Sequence, residues 1–182
     1  MSDDIARAFI AEARGLLSRD YLPKLERCLE RLGEAEVWWR PNPASNSIGN
    51  LLLHLEGNAR QWIVAGVGGA EDRRARQTEF DASVGQGVDA SPLPNAPELM
   101  ARLRATLEEV DEVLASLDPQ SLLERRRIQG LSKVTVLTAI FHVVEHFSMH
   151  TGQIILITKQ RAGGDLKFYD FDDGAPRANW NR

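Results

Sequence analysis

The stretch Val134-Thr135-Val136-Leu137-Thr138-Ala139-Ile140-Phe141-His142-Val143-Val144-Glu145-His146-Phe147-Ser148-Met149-His150-Thr151-Gly152-Gln153-Ile154 decides how this chain folds. It belongs to the most apolar segment of the sequence, long enough to suggest a membrane span. It also carries His142, Glu145, His146, His150 and Gln153, which would be costly in lipid. At about 100° per residue, Thr135, Thr138 and those five side chains fall within a band of roughly 140°. The segment therefore reads as a buried helix of a soluble protein, apolar except along one polar stripe. It starts near Ser132 or Thr135, runs to about Arg161, and stops at Gly163-Gly164.

Three further helical patterns surround it. One starts near Ser47, a good N-cap, and runs to about Val67, where Gly68-Gly69 end it. The run Ile48-Gly49-Asn50-Leu51-Leu52-Leu53 marks it as buried, while Asn50, His54, Asn58 and Gln61 form its own polar stripe. Another spans about Ser2 to Leu32, with Ile5, Ala8, Phe9, Ala13, Leu16 and Leu17 on one face. Pro23 should kink or split it near Asp20 to Leu22. The last begins at Asn95, three residues before Glu98 in a capping-box arrangement with Pro97 in the first turn, and ends near Leu117. Residues 40–44 form a loop around Pro41 and Pro43. Residues 68–94 form a long loop with a short helical turn, of the kind that shapes a site or a subunit contact. Residues 163–182 form an irregular tail whose Phe168, Tyr169, Phe171 and Trp180 should pack on the bundle. No strand alternation is evident, so the expected architecture is an all-α four-helix bundle in one domain over residues 1–182.

Composition narrows the function. A net charge of −4, with the arginine-rich stretches interleaved by acids, offers no cationic face for nucleic acid. One cysteine, Cys28, allows no intrachain disulfide and reads as a small buried hydrophobe. The acidic start Met1-Ser2-Asp3-Asp4 is unlike a signal peptide, so a cytoplasmic protein without a membrane partner is expected. Arg73-Arg74 and Arg125-Arg126-Arg127 read as solvated because Glu71, Asp72 and Glu124 adjoin them. Trp38-Trp39 reads as a packing plug or a dimer contact, and Gly152 as a point of close helix approach.

All four histidines lie in the two most apolar helices. Buried imidazoles need partners, and a metal ion satisfies three at once. His146 and His150, four residues apart, have Cβ atoms about 5–6 Å from each other. Their nitrogens can converge on one ion at roughly 2.0–2.1 Å, with His54 arriving from the other helix. A three-ligand site leaves a position open, as catalytic sites do and closed four-ligand structural sites do not. Hydrogen bonding among the histidines is the plainer alternative. A rival pattern, His142-Val143-Val144-Glu145-His146, matches the His-x-x-Glu-His of inverted zinc peptidases, with Glu145 as base, but lacks an evident downstream acidic ligand. A di-iron carboxylate bundle needs Glu-x-x-His pairs, and no histidine here has glutamate three residues before it.

The residues Ser47-Ile48-Gly49-Asn50-Leu51-Leu52-Leu53-His54-Leu55, Gly57-Asn58 and Arg60-Gln61-Trp62 resemble the second helix of DinB-like proteins. The run from His142 through His146 and His150 to Gly152-Gln153-Ile154-Ile155 resembles the last core helix of that family. Gly164-Asp165-Leu166-Lys167-Phe168-Tyr169 is similar to an uncharacterised subfamily. The resemblance implies an up-down-down-up four-helix bundle, usually a homodimer, with zinc, nickel or a similar divalent ion on His54, His146 and His150. It also implies thiol-dependent transferase or isomerase chemistry with a low-molecular-weight thiol such as bacillithiol, mycothiol or glutathione. His142, one turn before the ligand pair, departs from the plainest family pattern.

The leading expectation is a metalloenzyme that transfers a thiol to a small electrophilic molecule. Hydrolysis with Glu145 as base lies in the same class. His142 and Glu145 are the candidate catalytic groups, and Asn50, Asn58 and Gln153 the candidate substrate-pocket groups. The alternative is a non-enzymatic metal-binding stress-response bundle, which would lack a cavity beside the ion.

Overall fold

The computed structural model describes residues 3–83, 93–171 and 174–180. The expectation for the remaining part of the 68–94 loop, and for the two residues at each end of the chain, lies outside the described residues.

The first helical pattern forms α1 (Asp3–Gly15) and α2 (Leu22–Glu30), joined without a break by a π-helical stretch, Leu16–Tyr21. Pro23 brings no N–H and its ring crowds the carbonyl one turn back. The wider π turn just before it absorbs that conflict, and divides α1 from α2 where a kink or split was expected. After a short helix α3 (Glu34–Val37) and the proline loop comes α4 (Ile48–Ala59), which continues through a second π stretch, Arg60–Ala65. Ser47 and Asn50 close a reciprocal capping box at its start, which fixes where the helix begins and therefore which way His54 points. Helix α5 (Arg76–Asp81) is the short turn foreseen in the long loop. Helix α6 (Ala96–Ser116) begins with the Asn95–Glu98 capping box and leads through a 3-10 turn, Pro119–Leu123, toward the last helix. That helix, α7 (Val136–Ala162), is capped by Thr135 and terminated by Gly163 at φ 65°, a left-handed position that favours glycine.

Helix α4 packs against α6 and α7, and the first helical unit packs against the same two. Phe147, Leu25, Ile48, Leu55, Ile63, Leu103 and Val143 are fully buried between them. Burying such a side chain contributes about 1.5–3 kcal/mol, and the periodicity that predicted the helices is the same one that assembles this core. Trp38 is the plug the sequence suggested. It lies against Gly49 and its Nε1 donates to Pro94 O at 3.1 Å. A Cβ on Gly49 would come within 2.7 Å of the Trp38 ring. Gly49→Ala is expected to destabilise the protein by about 1 kcal/mol, overpacking outweighing the gain in helix propensity. A urea midpoint equal to or above that of the parent would contradict this.

The structure corrects four expectations. Residues Arg125–Ile128 (β1) and Leu131–Thr135 (β2) form an antiparallel hairpin, not a featureless link. Its turn residues Gln129 and Gly130 both have positive φ, 51° and 77°, as a two-residue hairpin turn of type I′ requires. Each strand has a buried side chain, Ile128 or Val134, too short an alternation to stand out. The tail contains a second ladder, Tyr169–Asp170 (β3) with Arg177–Ala178 (β4). In that tail Phe168 and Trp180 do pack, Trp180 donating Nε1 to Arg19 O at 3.1 Å, whereas Tyr169 and Phe171 are exposed. Gly152 also faces solvent, and a Cβ there would meet nothing within 4 Å. It shares a strip of α7 with the exposed Phe141, Met149 and Leu156. Arg74, finally, is not solvated. Its side chain is 4% exposed, while the neighbouring Arg73 is 80% exposed as expected.

Candidate metal centre

The Ser47 cap and the Thr135 cap set the registers of α4 and α7, and those registers bring His54 against His146 and His150. His54 Nε2 lies 2.8 Å from His146 Nε2. The ring of His150 stands edge-on to both, with centroids 5.2 Å from His54 and 4.4 Å from His146. One ring nitrogen from each residue falls in a set whose members all lie within 4.8 Å of one another. Two ligands of a tetrahedral ion at about 2.0–2.1 Å would sit roughly 3.3 Å apart. The separations here, 2.8 Å between the Nε2 atoms of His54 and His146 and all within 4.8 Å, bracket that value, so the donor set fits a divalent cation. Among the described residues no other histidine, cysteine or carboxylate joins this group.

The second nitrogens of two ligands are already committed. His54 Nδ1 lies 2.8 Å from Glu79 Oε2. Arg74 Nη2 also approaches Nδ1, at 3.1 Å, but donates to Glu79 Oε2 at 2.9 Å; a carboxylate only accepts, so the shorter contact to Glu79 puts the proton on Nδ1 and leaves the lone pair on Nε2. That lone pair accepts from His146 Nε2–H in the metal-free protein. His150 Nδ1 donates to Gln153 Oε1 at 2.7 Å, which again leaves Nε2 for the ion. Histidine ligands are commonly oriented through such outer hydrogen bonds.

Electrostatics keep His146 and His150 neutral. Burial, followed by the neighbouring His150, His54, His142 and Arg74, pushes the His146 pKa down to about 3, and burial lowers His150 as well. Neutral imidazole is the form that binds metal. The sign for stability follows directly. An unfolded His146 takes up a proton near its ordinary 6.5, while the folded one resists until about 3. Protons in that window therefore favour unfolding, and stability is present above it and lost as pH falls through it. The metal-free protein is expected to show a urea midpoint that drops as pH is lowered from 6.5 toward 3, with His146→Leu flattening the decline. An identical slope in the variant would refute the assignment.

The other candidates separate. His142 stays outside the three-histidine group. Its ring stacks on Trp62 with centroids 3.9 Å apart, and its Nε2 accepts from Asn58 Nδ2 at 3.2 Å. Burial lowers its pKa. Asn58 is buried, and its Oδ1 has no protein partner. Glu145 is exposed, which does not suit the His-x-x-Glu-His alternative. Asn50 is fully buried and spent on structure: it closes the α4 cap and donates Nδ2 to Glu79 O and Ala82 O, at 2.8 and 2.7 Å. Gln153 touches His150 and so acts on a ligand. Cys28 is buried on α2, and burial raises its thiol to about 11, the bland role expected of it.

Sequence reasoning missed Arg74, Glu79 and Phe80. Arg74 pairs with Glu79 through two nitrogens at 2.7 and 2.9 Å, and the Phe80 ring lies 4.7 Å from that of His54. Burial pushes the Glu79 carboxyl up, but hydrogen bonds from Arg74 and His54 outweigh it and hold the group below its ordinary value. These residues sit on a short helix in a polar loop, where no periodicity announces a buried carboxylate.

A helical bundle with a buried three-histidine cluster able to hold a metal ion is the class these features define. The model of the DinB superfamily matches residues 18–154, and the chain belongs to that superfamily. Comparison with curated proteins gives no match. No described helix is long and apolar enough to cross a membrane.

Proposed function

We propose that this protein is a divalent-metal-dependent enzyme acting on a small electrophilic molecule, with zinc or nickel as its ion and a low-molecular-weight thiol as cosubstrate. One observation carries the reading. Three imidazoles converge with no fourth protein ligand among the described residues, the arrangement of sites that keep a position open for substrate. A cation held by three neutral ligands keeps its full charge and lowers the pKa of a thiol or water placed beside it. The chain supplies the rest. Glu79 and Gln153 hold two of the ligands, and His142, held by Asn58 and Trp62, is the candidate to accept a proton from an incoming nucleophile that displaces Asn58 from its Nε2. Asn58 Oδ1 is a free acceptor for a polar substrate group. Glu145, in solvent, is the weaker catalytic candidate, and hydrolysis is the alternative reaction at the same centre.

A second reading, a non-enzymatic metal-binding bundle, is favoured by the cavities. The one that reaches Arg74 and Glu79, of about 260 Å³, is lined by neither His54, His146 nor His150. A thiol-transfer assay separates the two, using zinc- or nickel-loaded protein with glutathione and bacillithiol against small alkyl and aryl electrophiles. Turnover that disappears in His142→Ala while metal content persists supports the enzyme. Metal bound with no turnover by any thiol supports the second reading. The exposed strip of Phe141, Met149 and Leu156 on α7 is our proposed contact for a second copy. Met149→Lys should then convert a dimer to a monomer in sedimentation.

A further inference from the structure

We infer that Glu79 is the positioning residue of the metal centre: its carboxylate, delivered by the α5 segment, fixes His54 in the one tautomer and orientation that aims Nε2 at the ion. The inference rests on the metal-binding reading above and deepens it. Nothing in the local sequence requires a carboxylate at this point, yet several independent features put it there. Arg74 clamps both carboxylate oxygens, Oε1 at 2.7 Å and Oε2 at 2.9 Å. Gln61 Oε1 accepts from Arg74 at 2.9 Å and holds the clamp against α4. Asn50 Nδ2 takes the Glu79 carbonyl at 2.8 Å. Arg40 Nη2 donates to Phe80 O and Ala82 O, at 3.1 and 2.9 Å, and tethers the end of the segment.

Gly57 completes the arrangement. A Cβ at Gly57 would lie 2.2 Å from Glu79 Oε1 and 3.0 Å from Arg74 Nε. The helix therefore leaves out a side chain one turn after His54, where the carboxylate must approach. Glycine inside a helix costs about 1 kcal/mol relative to alanine, a cost that an incidental surface ion pair would not justify. Glu79 Oε2 then meets Nδ1 of His54, the only ligand that α4 contributes to the group. Losing such an outer hydrogen bond typically weakens metal binding about 10–100-fold.

The test measures zinc affinity by competition with a chromophoric chelator, and the His54 tautomer by nitrogen-detected NMR of the metal-free protein. Four proteins are compared with the parent: Glu79→Gln, Gly57→Ala, Glu71→Gln and His146→Ala. Glu71 lies on the same segment but is exposed and paired with Arg73, so its variant should bind zinc like the parent. Glu79→Gln and Gly57→Ala should each weaken binding about 10–100-fold, and Gly57→Ala, which removes no polar group, should release His54 from the Nδ1–H tautomer. Should Glu79→Gln fail to fold, Gly57→Ala and the parent's tautomer still decide. Parent protein with His54 as Nε2–H, or zinc affinity unchanged in Gly57→Ala and Glu79→Gln while His146→Ala loses it, overturns the role of Glu79. Equal affinity in the parent and His146→Ala instead overturns the metal site itself.

Discussion

His146→Ala protein, prepared without a histidine tag, is expected to contain no bound transition metal, where the parent carries about one ion per chain. The reason lies in where His146 sits. Its Nε2 is 2.8 Å from that of His54, and its ring is the nearer neighbour of His150, so removing it leaves two imidazoles from different helices with nothing between them. The loss should exceed the 10–100-fold typical of an outer hydrogen bond. Thermal unfolding offers a second reading of the same effect. Ion at about a thousand times its Kd adds roughly 4 kcal/mol to the folded state. For a chain of this size that is a rise in Tm of roughly 8–16 °C. The variant should rise by little or nothing. His142→Ala should behave as the parent does, because its ring is held by Trp62 and Asn58 and lies outside the group. If His142→Ala and His146→Ala lost metal equally, the His-x-x-Glu-His pairing would displace the three-histidine site.

How much of this was legible beforehand depends on the range of the interactions involved. The bundle was legible because its signals are local and repeated. The caps at Ser47 and Asn95, the glycine stop at Gly163 and the apolar periodicity of α4 and α7 all act within a few residues, and all appear where they were read. The meeting of His54 with His146 and His150 was legible in part from the need of buried imidazoles on two apolar helices for partners, and otherwise from the resemblance to DinB-like proteins, which implies those three as ligands. The hairpin at 125–135 escaped because a four-residue strand with one buried side chain has no pattern to detect. Glu79 and Arg74 escaped for a deeper reason. Both look like ordinary loop charges, and the residues that enclose them, Gly57, Asn50, Gln61 and Arg40, are up to thirty-nine positions from Glu79 in sequence. Charge pattern alone cannot tell Arg73, in solvent, from Arg74, sealed beneath the segment that carries it.

That burial sets the second large effect. Arg74→Met is expected to cost about 3–5 kcal/mol of stability, because it strands the Glu79 carboxylate, 9% exposed, without its main partner. The corresponding fall in Tm is roughly 6–20 °C, whereas Arg73→Met, on an exposed pair, should change nothing measurable. The double variant Arg74→Met with Glu79→Leu should recover most of the stability, since apolar side chains replace a buried ion pair with little penalty. Zinc affinity should not recover with it, because His54 Nδ1 would have lost its acceptor. Stability and metal binding would then part company in one protein. That separation distinguishes a pair that serves the histidine from one that serves only the fold. An Arg74→Met protein as stable as the parent, or a double variant that regains stability and affinity together, would show that the buried pair contributes packing and nothing to the centre.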